Sequence, residues 1–517
     1  MLKSKKIATI ISYANLCVSF LTTVFFIPFL LKYVGDDYGV FSFSESIISW
    51  LTMLSTTFAS CYVRFATIES KKTNEKPCQT NTIFLLALLS VSATALLVGG
   101  AIFILFKTNV LTLSSFTASE RELFYAIFLL AVIHSSLEMV LSFFTLYTTY
   151  CNYFVIVRGA LLLNAILYPL LAVVALLSGG NMLVVIIVMF SVKIVLNICV
   201  MLFVFLKIGI KFKKFSFKEY KPLIIEIVIF SSFIFVNTIV ETCNVSLDKI
   251  LLGALFGTHV VSIYQLGMTY TTYINSISCA MTNNFIPEIH KLSQDNKMYE
   301  INQLFTKISI IQIFVLILIV GGFLSCGSEF VTLWIGEEYQ DVYYIALILM
   351  ASFAFEYSTS LSVEYQRSIN KHKFRTIVYI ASLTCNFLIT FLLLRFAKTV
   401  NPIISCLIGT VFSEIVFKCI VLPCYNQRQL KLNYGRVIYG MVVFFLIMFF
   451  AFSVQKGVFM LIEPFIKRRT NLVSFVVKGL TFIVLYLPCS LFVLKKQFNL
   501  DFAKELFRRG YRYEKRH

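Results

Sequence analysis

The feature that most constrains this chain is a series of apolar runs, each close to the roughly 20 residues a helix needs to cross a ~30 Å hydrocarbon layer. Fourteen such runs lie near residues 7–31, 40–64, 82–106, 122–147, 154–177, 182–206, 222–247, 260–286, 305–326, 342–365, 374–396, 402–424, 436–455 and 472–494. In lipid every backbone N–H and C=O needs a partner within the protein, so each run is read as a helix. A barrel would instead show alternating strands of about ten residues, and the sequence has none. Hydrophobic residues make up 58% of the chain and charged residues 14%, too few to coat a soluble domain, in which about a quarter of residues are charged. The expected fold is an all-α polytopic membrane protein with fourteen transmembrane helices, spans 1 to 14.

Lys and Arg outnumber Asp and Glu by 45 to 26, for a net charge of +19. In a soluble protein that excess would suggest nucleic acid. In a membrane protein the placement of the charges carries the information, and no nucleic-acid partner is expected. Fourteen spans put both termini on one side. The loops of that side hold 31 of the basic residues and the opposite loops ten, while Arg64, Lys193, Lys418 and Lys478 fall within spans. The positive-inside rule therefore predicts that both termini are cytoplasmic. The segment "KRR" at 467–469 is the one connection at odds with this count. The first run is too long for a cleavable signal and leads into further spans, so it reads as a retained anchor. The thirteen Cys are scattered, mostly within spans and without a CxxC pair; no disulfide framework, metal site or cofactor is expected.

Between spans 1 and 2 the stretch "FIPFLLKYVGDDYGVFSF" at 25–42 interrupts the apolar pattern with Gly35, Asp36, Asp37 and Gly39. Pro28 can kink the first helix near its exit, and the glycines permit a sharp reversal. The stretch "LGALFGTHVVSIYQLGMTYTTYI" at 252–274 places Gly257 222 positions after Gly35, again between an odd span and the even span that returns. Spans 1–6 and 7–12 thus read as two copies in one orientation. The domains are an N-terminal lobe at 1–206, a basic linker at 207–221, a C-terminal lobe at 222–424, spans 13–14 within 425–496, and a basic amphipathic tail at 497–517 suited to anionic headgroups. Paired repeats around a central cavity are how many secondary transporters are built.

The segments "IPFLLKYVGDDYGVFSFSESIISWL" in spans 1–2, "SLDKILLGALFGTHVVSIYQLG" in spans 7–8 and "NNFIPEIHKL" at the end of span 8 resemble the polysaccharide transporter branch (O-antigen and capsule oligosaccharide flippases) of the multidrug/oligosaccharidyl-lipid/polysaccharide exporter superfamily. The resemblance extends over almost the whole chain in helix count and loop order, and rests on a few Gly, Pro, Asp and Tyr positions. It implies a flippase rather than an enzyme, one that moves undecaprenyl-pyrophosphate-linked oligosaccharide across the bacterial inner membrane for lipopolysaccharide O-antigen or capsule assembly. Two lobes would rock around a polar, often cationic lumen, with polysaccharide polymerase machinery as a possible partner. The appended helix pair is similar to that of lipid II flippases, where it helps to form a groove for the lipid tail. The sequence has no Gly-rich phosphate loop of the ATPase kind, so energy must come from an ion gradient (proton or sodium), the membrane potential or mass action.

A pyrophosphate crossing hydrocarbon needs a hydrated, positively polarised path, so charges at depth are the residues to weigh. Lys193, midway through span 6, is the leading candidate to meet pyrophosphate; the competing reading is an ion pair with Glu138 of span 4, which follows His134 by one turn and is itself a possible proton carrier. Arg64 closes span 2, either at a lumen mouth or snorkelling into headgroups. Glu414 and Lys418, four apart in span 12, suit a self-neutralising pair, with Lys418 also a candidate for the substrate lumen. Glu241 and Asp248, seven apart in span 7, share a face. Asp248 and Lys249 match the family's Asp-Lys at that exit, which implies an outer gate or interlobe contact, against a solvated helix end. Glu356 and Glu364, eight apart in span 10, can face one cavity and bind a coupling proton or cation. Pro28, Gly35, Gly39 and Gly257 are the expected hinge and turn positions. A multidrug or cation antiporter of the same superfamily is the alternative. A membrane glycan polymerase or acyltransferase is disfavoured by short loops and only five His.

Overall fold

The computed structural model describes residues 2–50, 99–100, 115–209, 217–369, 371, 373–397, 399–466 and 471–500. Among these residues all regular structure is helical. Among the described residues nine helices are long and apolar enough to cross a membrane, or ten when one bent pair is taken as a single span, which makes the chain a multi-pass membrane protein. Most of spans 2 and 3 falls outside the described residues, as does "KRR"; every other predicted span overlaps a helix. The Thr258–Asn283 helix is long enough to cross, but Thr, Ser, Tyr and Asn make it too polar to count among the nine.

Several helices outrun the apolar runs that announced them. Met298–Ile335 has 38 residues, about 57 Å at 1.5 Å per residue, so its ends continue beyond the hydrocarbon where polar side chains take over. Span 10, expected as one helix, is broken into Asp341–Ser358 and Leu361–Ser368 with a 40° bend. The break is held by hydroxyls from a neighbouring helix. Ser278 Oγ donates to the Tyr357 carbonyl at 2.5 Å, and Thr282 Oγ1 lies 2.6 Å from Ser360 Oγ, so a backbone group freed by the bend is paired inside the protein. Span 12 runs from Pro402 to Gln429, but its middle, Glu414–Val421, is a π-helical segment.

The described chain forms two packed units, 1–262 and 263–517. In the first, Phe154–Leu177 packs against both Leu2–Val34 and Met182–Phe203, and Ala118–Tyr150 packs against Met182–Phe203. Residues 222–262, read from the sequence as the opening of a C-terminal lobe, belong to this unit. The Ala118–Tyr150 helix is fixed by a capping box: Glu120 N–H donates to Thr117 Oγ1 at 3.3 Å, and Thr117 N–H donates to Glu120 Oε2 at 2.7 Å. Pro28 lies inside Leu2–Val34, which continues to Gly35. Gly35 and Gly257 each end a helix with φ of +59° and +93°, a left-handed cap that a side chain resists.

In the second unit Met298–Ile335 is central, packing against Asp341–Ser358, Tyr434–Ile466 and Asn471–Gln497. Phe314, Phe444, Phe482 and Tyr486 form the heart of that contact and are almost wholly buried. The last two helices keep broad apolar faces exposed, including Leu446, Phe450, Val484 and Phe492, as lipid-facing spans do.

Candidate functional site

In the first unit two rungs join Ala118–Tyr150 to Met182–Phe203. The His134 ring lies flat on Phe190, centroids 4.1 Å apart and planes 5° from parallel. One turn along, Lys193 Nζ lies 2.5 Å from Glu138 Oε1. Spacings of four on one helix and three on the other put both partners of each rung on facing sides. Glu138 Oε2 is 3.1 Å from His134 Nε2, so the carboxylate sits between an imidazole and an ammonium. His134 is buried, whereas the Lys193 side chain is 43% exposed. The ion pair weighed in the sequence is therefore formed, and the lysine side chain remains partly exposed.

A second group surrounds the turns at Gly35 and Gly257. His259 Nδ1 lies 2.9 Å from Asp36 Oδ1. Thr258 Oγ1 donates to Glu120 Oε1, whose other oxygen belongs to the capping box. Ser115 Oγ donates to the carbonyls of Gly253 and Ala254 at 2.8 and 3.1 Å, satisfying acceptors that the end of Phe217–Phe256 leaves open. Gly39 is needed for this approach, since a Cβ there would run into the Thr258 carbonyl and come within 2.6 Å of Ser262 Oγ. Burial first, then the charges of Glu120 and Asp36, push the Asp37 carboxyl above its ordinary value.

The second unit holds a buried cluster. Lys418 Nζ lies 2.9 Å from Glu414 Oε2 and 3.2 Å from Glu356 Oε2. Tyr379 OH donates to Glu356 Oε1 at 2.8 Å. The ammonium also stands 5.0 Å from the Tyr379 ring and 5.4 Å from the Phe353 ring. The π-helical segment places Glu414 and Lys418 together, a distortion often met at functional positions.

Among the sequence candidates, Lys193 meets Glu138, and Glu356 joins Glu414 and Lys418. Lys418 is enclosed by carboxylates and rings, which is the self-neutralising arrangement rather than a lysine presented to a lumen. Glu364 is not in that cluster: it lies beyond the bend and pairs with Arg367 at 2.6 Å, so equal spacing along an unbroken helix no longer applies. Asp248 and Lys249 are both buried, which sets aside the solvated helix end. Arg64 and the Glu241 side chain lie outside the described residues. Sequence reasoning missed Tyr379, His259, Glu120 and the pair of Lys478 with Glu329. Lys478 stood out as a charge within a span, but its partner is 149 residues away.

No family profile matches the sequence, and no curated protein matches it. Solved structures do share the fold. The lipid II flippase MurJ in an inward closed conformation superposes with TM-score 0.70 at 13% identity, covering 96% of this chain and 100% of that one. A mutant of the Vibrio cholerae MATE transporter VcmN gives 0.56 at 13% identity over 83% and 99%. A MOP superfamily transporter from Pyrococcus furiosus gives 0.51 at 13% identity over 87% and 96%. The chain thus shares the fold of these transporters, with a likeness that lies in architecture rather than in sequence.

Proposed function

We propose that the protein is a flippase that moves undecaprenyl-pyrophosphate-linked oligosaccharide across the bacterial inner membrane by alternating access of its two sequence lobes, for O-antigen or capsule assembly. The observation that carries this reading is Lys193, an ammonium near the middle of a span whose side chain is 43% exposed. A charge at that depth is costly unless it serves an anion or water, and pyrophosphate is the anion such a substrate brings. The near-complete structural overlap with a lipid II flippase supports the same reading. Asp248 and Lys249, both buried, are assigned to an outer gate, and Glu241 and Arg64 to the same path.

The second reading, a multidrug or cation antiporter, is favoured by the carboxylates of Glu356 and Glu414, which suit a coupling proton or sodium. Reconstituted protein supplied with fluorescent undecaprenyl-pyrophosphate oligosaccharide separates the two. On the flippase reading Lys193→Arg keeps most of the transfer rate, while Lys193→Gln and Lys193→Glu lower it by about tenfold or more at equal abundance, the scale of one charge-assisted contact. Full transfer by Lys193→Glu would remove Lys193 from the path. No transfer by the unaltered protein, alongside proton-driven efflux of organic cations, would establish the antiporter.

A further inference from the structure

Glu138 and His134 are held more deeply than the lysine that neutralises them. His134 is 5% exposed and Glu138 20%, against 43% for Lys193. Lysine also has four rotatable bonds on its stem, so it can swing away while the stacked imidazole cannot. The charged groups facing Glu138 are His134 on its own helix and Lys193 on Met182–Phe203. The third packed helix, Phe154–Leu177, brings Arg158, exposed near its start, and Tyr168, packed on Phe26. Among the described residues, then, Lys193 is the fixed positive charge that Glu138 relies on.

An anionic ligand that recruits Lys193 strips that charge from a carboxylate at membrane depth, and such a group does not stay ionised without a partner. We propose that Lys193 is a displaceable counter-ion, and that its transfer to an anionic ligand makes the Glu138–His134 pair take up one proton from water, linking anion binding to proton uptake one to one. This rests on the reading that Lys193 meets a pyrophosphate. The proton goes to Glu138 Oε1, the oxygen that Lys193 vacates. His134 Nδ1 is buried and has no hydrogen-bond partner among the described residues, so a further N–H there would be left unsatisfied, and the carboxylate is the better acceptor of the proton. One O–H bond forms and nothing is oxidised or reduced. Linkage then requires anion affinity to fall about tenfold per pH unit over the range in which the free site is ionised and the occupied site protonated.

Infrared spectroscopy of the full-length protein in lipid nanodiscs reads the carboxylic C=O stretch directly. At neutral pH the unaltered protein should lack a Glu138 acid band. Lys193→Met and Lys193→Gln should each show one that disappears when Glu138→Gln is added; its absence from both variants overturns the proposal. Inorganic pyrophosphate added to the unaltered protein should raise the same band. Pyrophosphate that binds, as followed by its own P–O absorption, without raising that band also overturns it. Pyrophosphate that fails to bind overturns the anion-contact reading instead, while the Lys193 variants still decide the proton switch.

Discussion

At the scale of single residues, the Glu356–Lys418–Glu414 cluster shows what spacing can and cannot reveal. Glu414 and Lys418 announce each other because four residues is one helical turn, and the structure keeps them 2.9 Å apart. Glu356 lies 62 positions from Lys418 in sequence, and no local pattern predicts which distant helix supplies a third charge. Glu364 shows the converse, since eight residues suggest a shared face only while the helix is straight, and the bend sends Glu364 to Arg367. Removing one member of a buried ion group leaves its partners uncompensated, which costs about 3–5 kcal/mol. Lys418→Met should therefore cause a large fall in the thermal stability of purified protein. Adding Glu356→Gln and Glu414→Gln to it should recover most of the loss, because neutral side chains no longer need the ammonium. A Lys418→Met variant as stable as the unaltered protein would show that the cluster is held by its shape and not by its charges.

At the scale of elements, the turns at Gly35 and Gly257 were legible because two glycines among apolar runs have few other uses, and both adopt positive φ. What the sequence did not disclose is which side chains join the two turns. That contact depends on a hydrogen atom at Gly39 facing the Thr258 backbone and on the partner choices of Ser115, Glu120 and Asp36. Gly39→Ala leaves both turns intact as local structures and acts only on their approach, because a single methyl would overlap a carbonyl that has no room to yield. The expected outcome is a loosened contact between 37–50 and the start of Thr258–Asn283. In a background without native Cys, Asp36→Cys with His259→Cys should form a disulfide readily, and adding Gly39→Ala should slow it several-fold. An unchanged rate would mean that the helices part and rejoin without that close approach.

At the scale of the whole chain, composition and run length were enough to define a multi-pass helical membrane protein, because a hydrocarbon layer leaves the backbone so few choices. Orientation is a separate matter, set by which loops are too basic to be carried across. Asp36 follows one crossing, so it should lie opposite the N-terminus. Between Asp36 and Lys221 the described residues give three spans, within Ala118–Tyr150, Phe154–Leu177 and Met182–Ile208, and the sequence adds spans 2 and 3. Five crossings or three both return Lys221 to the side of the N-terminus, whereas four would not. A reporter fused after Lys221 is therefore predicted to be cytoplasmic, and one at Asp36 to be on the other side, whether spans 2 and 3 both cross or neither does. A fusion after Lys76, between those two runs, separates these cases: it should report cytoplasm if both cross, and the side of Asp36 if neither does. The three basic residues at Lys71, Lys72 and Lys76 favour the cytoplasmic result, each adding to the resistance against translocation. A Lys221 fusion found outside would leave an odd crossing unaccounted for and break the division into two six-span repeats.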